Sequence, residues 1–191
     1  MKRFKKKAGA LVTQLSEAEV ELLTSMLDQL IDMVSDGEPA QFEEPTPDTD
    51  PFEAWSKELA ADATEPEPTD DPVLRRLFPD AYADDPEAAA DFRRFTERDL
   101  KVKKVSEAGT VLDTLAKTQF GRHELRIPIE DADVWLRTLN SLRLAVATRL
   151  GITDAAVAKE LAEIGDDDPR AFMASVYDWL SFAQETLISA L

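Results

Sequence analysis

The sequence predicts a mainly α fold: a single helical domain of five or six helices with a small antiparallel β hairpin or sheet. Three observations carry that prediction. Apolar residues recur at three- and four-residue spacings through long stretches. Capping signals precede those stretches. Only three short segments alternate as strands do, among them Leu125, Ile127 and Ile129.

In chain order, Arg3 to Lys7 and Ala10 to Gln14 predict a hairpin turning at Gly9. The first helix starts at Ser16, where Ser16 and Glu19 make a capping box and Leu15 and Val20 a hydrophobic staple. Its apolar face is Leu23, Met26, Leu27, Leu30, Ile31 and Val34. Asp-Pro steps at Asp50-Pro51, Asp71-Pro72, Asp85-Pro86 and Asp168-Pro169 mark further helix starts. An Asp side chain there accepts from an orphan N–H, and proline has no N–H to leave unpaired. The longest helix runs from Pro86 to about Lys117, with Phe92, Phe95, Val102, Val105, Leu112 and Ala116 on its expected inner face and Gly109 as a possible kink. A strand over Glu124 to Ile129 leads to a helix ending at Leu150, with seam Trp135, Leu139, Leu142, Val146 and Leu150. This strand-and-helix order mirrors the N-terminal one, which suggests a degenerate internal repeat. The last helix, from Arg170 to Leu191, is expected to bury Phe172, Val176, Trp179, Leu180, Ala183 and Leu187.

The domain reading is a hairpin and first core helix over 1–35, an acidic proline-rich flexible loop over 36–71, and the rest of the same helical domain over 72–191. Net charge is −17 over 191 residues, and the 36–71 segment alone nets −12. Such repulsion with six prolines favours extended conformers. Inside it, Phe52, Trp55 and Leu59 share one face of a possible short helix. No stretch has the roughly 20 apolar residues of a membrane span, nor the 7–15 of a secretory h-region, so a cytoplasmic location is expected.

The chemistry is narrow. Cysteine is absent and His123 is the single histidine, beside Gly121 and Arg122 in what reads as a solvated loop. No phosphate-cradling glycine motif occurs, and Asp166-Asp167-Asp168 lacks the ligand spacing of a calcium loop. No enzyme activity, cofactor or metal is therefore expected. Residues 149–165 resemble the first helix of a helix-turn-helix, but the acidic run that follows repels phosphate, so direct DNA binding is not expected either. Arg93, Arg94, Arg98, Lys101 and Lys104 remain as an interaction patch for an acidic partner, with a solvated helix face as the plainer account. Asn140, Arg143, Tyr177 and Asp178 lie on or beside two apolar seams and predict a polar contact, with Arg143 meeting Asp178.

Several strings carry a family resemblance: Leu77-Phe78-Pro79-Asp80-Ala81-Tyr82, the run from Asp84-Asp85-Pro86 to Arg93-Arg94, the run from Trp135-Leu136-Arg137 to Leu144-Ala145, and Val176-Tyr177-Asp178-Trp179-Leu180. With the basic hairpin, they resemble an actinobacterial AosR-like family of oxidative-stress transcriptional regulators whose genes lie near that of the Clp adaptor. The resemblance implies a regulator that works with an alternative sigma factor and RNA polymerase, sensing oxidation through a Cys-x-x-x-Cys pair. This chain has no cysteine, so a thiol switch cannot operate in it. The expected function is non-enzymatic regulation by protein–protein contact, with a sigma factor or RNA polymerase as partner. The alternative is an accessory factor of Clp-dependent proteolysis, with Clp components as partners.

Overall fold

The computed structural model describes residues 1–35, 69–82, 84–165 and 167–191. The short helix expected around Trp55 and the Asp50-Pro51 step lie outside the described residues. Among those described are six α-helices and a three-stranded antiparallel sheet of order β1-β2-β3, so the chain is mainly α.

Strands β1 (Lys5–Lys7) and β2 (Ala10–Thr13) pair with Lys7 opposite Ala10, which leaves a two-residue loop. Ala8 and Gly9 both take positive φ there, as a tight hairpin matching the strand twist requires. The exposed lysines of β1 lie along the sheet's edge. Strand β3 (Leu125–Pro128) flanks β2 on the other side, with Leu11 opposite Ile127 and both fully buried.

Helix α1 (Glu17–Val34) begins with the expected capping box: Ser16 Oγ accepts from Glu19 N, and the Glu19 carboxylate accepts from Ser16 N at 2.8 Å. Asp71 caps α2 (Pro72–Leu77) through Val73 N at 2.7 Å, and Asp85 caps α3 (Pro86–Ala116) through Ala88 N at 3.1 Å. The Asp168-Pro169 step behaves differently. Its carboxylate turns to Arg170, accepting from the backbone N–H and from the guanidinium. The last helix, α6 (Ala171–Ile188), consequently starts without a side-chain cap.

After α3 the chain turns through Gln119, Phe120 and Gly121, all at positive φ. A Cβ on Gly121 would come within 2.8 Å of the Leu15 carbonyl oxygen, so only glycine lets this turn lie on the start of α1. A 3-10 turn (Ile129–Asp131) joins β3 to α4 (Ala132–Leu150), which ends on left-handed Gly151. Strand β2 leads into α1 as β3 leads into α4, the order that the repeated pattern suggested. Helix α5 (Ala155–Ala162) is short and capped by Asp154.

The core centres on α4, whose entire predicted seam, Trp135, Leu139, Leu142, Val146 and Leu150, is buried. Helix α4 packs most extensively on α6, and also on α2 and α3. Helix α3 departs from expectation. Its buried residues are Ala89, Ala108, Val111, Thr114 and Leu115, whereas Phe92, Phe95 and Val102 are exposed. At 1.5 Å per residue this 31-residue helix is roughly 46 Å long, against about 27 Å for the 18 residues of α1 that it packs on. The body therefore covers mainly its C-terminal half, and the helix runs unbroken through Gly109.

Candidate interaction surfaces

On the N-terminal half of α3, Phe92, Phe95, Asp99 and Val102 follow the three-four spacing that keeps side chains on one helical stripe. Helical geometry places that stripe roughly opposite Val111 and Leu115. Phe95 is 68% exposed, Val102 46% and Phe92 37%, so the stripe faces solvent. Tyr82 meets Phe92 edge-on with ring centroids 6.0 Å apart. The Arg94 guanidinium lies 5.3 Å from the Phe95 centroid, within range for cation–π attraction.

The five basic residues predicted as one patch divide between two sides of α3. Arg93 pairs with Asp80, and its buried Nε has no hydrogen-bond partner among the described residues. Lys104 turns inward: its Nζ donates to Ser141 Oγ of α4 at 3.1 Å and sits 5.7 Å from the Phe78 ring centroid. Burial lowers the Lys104 pKa, Lys103 adds to that, and Glu107 opposes it. Lys101 lies within 3.0 Å of Glu97 one turn earlier. Arg94 and Arg98 are exposed beside the aromatic stripe. Arg93 and Lys104 thus help hold α3 to the body, while Arg94 and Arg98 accompany its outer face.

Asn140, Arg143 and Tyr177 line one cleft of about 370 Å³ between α4, α5 and α6. The Arg143 guanidinium donates to Gln184 and lies 5.7 Å from the Tyr177 ring centroid. It does not meet Asp178, so the expected contact between Arg143 and Asp178 is corrected. Tyr177 and Gln184 are seven residues apart and share one face of α6, whereas Asp178 is turned about 100° away and is exposed.

A larger groove of about 680 Å³ lies among α1, α2, α4 and α6. Leu22, Met26, Val73, Val146 and Met173 form much of its lining, with Gln29, Asp32, Asp71 and Arg149 among its polar groups. Arg149 donates to Asp71 at 3.1 Å. The groove was not read from sequence. Phe172, expected in the core, lines it and is 71% exposed. The residue lies in the first turn of α6, where the spacing that buries Val176 and Leu180 no longer determines what covers a side chain.

His123 is exposed in the turn before β3, its Nε2 3.2 Å from Gln119 Oε1. Among the described residues no three histidine or acidic side chains gather as a metal site would require. Nor, among them, is any helix long and apolar enough to cross a membrane.

The family model described as a domain of unknown function (DUF2017) matches residues 1–191. A Mycobacterium leprae protein carrying the AosR name is 32% identical over 186 residues, covering 91% of this chain and 78% of that protein. Proteins named oxidative stress regulator AosR from Mycobacterium tuberculosis and Mycobacterium bovis are each 34% identical over 134 residues. Those two matches cover 63% of this chain and only 58% of each relative's length. No solved structure matches it. With a family model matched from end to end and AosR-named relatives above 30% identity, this chain belongs to the DUF2017 family.

Proposed function

We propose that this protein is a non-enzymatic stress regulator that acts in the cytoplasm by binding a component of the transcription machinery, a sigma factor or RNA polymerase, through the outer face of α3. The names of the mycobacterial relatives support the stress-regulator part of the reading. One observation supports a protein contact through α3: the exposed stripe of Phe92, Phe95 and Val102 on a helix half that the body leaves largely uncovered.

Such a stripe costs solubility unless a partner covers it, and contiguous exposed apolar surface marks interaction sites. The partner helix that fits carries apolar residues at the same spacing and acidic residues beside them. Arg94 and Arg98 supply the complement on a chain whose net charge of −17 otherwise repels acidic surfaces. Charge of this kind sets orientation and rejects wrong partners more than it adds affinity.

The test is binding of the full chain to purified mycobacterial RNA polymerase, with and without its alternative sigma factors. A Phe95→Ser, Arg98→Glu double variant is expected to weaken binding more than about tenfold with little change in melting temperature, since truncated interface anchors cost on the order of 2 kcal/mol. Binding that is unchanged in this variant would remove α3 from the account. Recovery of Clp subunits instead of polymerase from a mycobacterial lysate would replace the transcription reading with the proteolysis one.

A further inference from the structure

All the sulfur in this chain is thioether: there are four methionines and no cysteine. Met1 is the N-terminal residue, its ammonium paired with Glu19. The other three, Met26, Met33 and Met173, all line the groove among α1, α2, α4 and α6. Met26 and Met33 stand seven residues apart on one face of α1, and Met173 comes from the first turn of α6. Met173 is 41% exposed, and Met26 and Met33 are half-buried, so an oxidant reaches this groove without unfolding the chain.

We propose that Met26, Met33 and Met173 form an oxidation site, in which peroxide adds polar oxygens to the apolar part of the groove. The chemistry needs only a two-electron oxidant of the hydroperoxide class. The thioether sulfur attacks the peroxide, an S–O bond forms as the O–O bond breaks, and the peroxide leaves reduced to water or an alcohol. The product sulfoxide is a strong acceptor on what was a flexible apolar side chain, and it is reversible by methionine sulfoxide reductases.

The groove amplifies that change. Leu22, Val73 and Val146 in its lining have no hydrogen to donate to a sulfoxide oxygen, which leaves Gln29 and Arg149 as its side-chain donors, and an oxygen buried away from them and from water is costly. The oxygens must turn outward or draw donors inward, and Met173 sits in the first turn of α6, which starts without a side-chain cap. Oxidation is therefore expected to loosen the start of α6 at the groove, where α6 packs chiefly on α4. The biological meaning of this site as a sensor rests on the stress-regulator reading, but its chemistry does not.

The experiment treats the full chain with hydrogen peroxide, maps oxygen addition by peptide mass spectrometry, and measures melting temperature before and after. Each of the three methionines is expected to gain one oxygen, with a fall in melting temperature of about 5 °C that reductase treatment reverses. A variant carrying Met26→Leu, Met33→Leu and Met173→Leu keeps the groove apolar and is expected to show no fall. The proposal is overturned if any of the three resists a dose that oxidises methionine in the urea-unfolded chain. Oxidation that leaves the melting temperature unmoved overturns it too, as does an equal fall in the leucine variant. Wild-type mapping and reductase reversal remain decisive if that variant folds poorly. None of these readouts involves a partner. Failure here leaves the α3 contact standing, and loss of the α3 contact leaves the oxidation chemistry standing.

Discussion

The two halves of α3 carry similar amounts of apolar side chain and put them to opposite uses. From Ala108 to Leu115 the helix turns Ala108, Val111 and Leu115 into the core, each no more than 1% exposed. From Phe92 to Val102 it presents larger side chains to water. Intrinsic helix preference does not separate the two, since one uninterrupted helix contains both. The difference lies in what stands opposite: α1, α4 and β3 pack against α3 and run out before the helix does. Apolar periodicity therefore says that a helix has a face without saying which neighbour covers it.

The strongest way to break this comparison is to truncate one residue from each half. Leu115→Ala removes a fully buried side chain and leaves a cavity, and is expected to cost about 3 kcal/mol by urea denaturation. Phe95→Ala removes a larger side chain and is expected to change stability by less than about 0.5 kcal/mol. Equal costs would mean that the outer stripe belongs to the fold and not to a partner.

A second pair of changes compares the helix starts. Glu19 closes the cap of α1 and also accepts from Trp179 Nε1 of α6 at 3.1 Å, while pairing with the N-terminal ammonium. Burial of its carboxyl raises the pKa, but the ammonium and Ser16 outweigh that and hold it below the usual value. A lowered folded-state pKa means stability that is present above the ordinary glutamate range and lost as pH falls through and below it. Glu19→Gln is expected to cost on the order of 1.5 kcal/mol near neutral pH. The gap from wild type should narrow as pH falls through and below the ordinary glutamate range. Asp85→Ala removes a comparable cap from α3, but on the half with little core beneath it. It should fray that end, seen as faster amide exchange around Ala88, with a smaller loss of global stability.

Much of the body could be read from the residues because local signals and burial agree there. The Ser16–Glu19 box, the Asp71 and Asp85 caps and the five-residue seam of α4 each combine a start signal with a periodic face that the centre of the molecule covers. The candidate surfaces were less legible for physical reasons. Phe92, Phe95 and Val102 have core spacing but lie beyond the reach of the body. Phe172 has core spacing at a helix start whose neighbour is a groove. Arg143 lay on the correct face of α4, yet its partner depended on the rotation of α6, which favours Tyr177 and Gln184 over Asp178. Lys104 was grouped with solvated cations because spacing cannot show that Ser141 and Phe78 lie within its reach.

Gly109 lies just inside the covered half, one residue after Ala108, and sharpens the comparison most finely. It is helical, its φ is not positive, and a Cβ added there would meet nothing within 4 Å. Gly109→Ala is therefore expected to stabilise the protein by about 0.5–1 kcal/mol, through the entropy that glycine loses on entering a helix. Yet Gly109 also continues the outer stripe, seven residues beyond Val102. A partner helix confined to the N-terminal half will bind this variant as it binds wild type. One that runs along the whole of α3 and approaches closely at the glycine will bind it more weakly, even as the melting temperature rises. Measuring both quantities on this one substitution locates the end of the contact surface, because added stability and lost affinity cannot both come from damage to the fold.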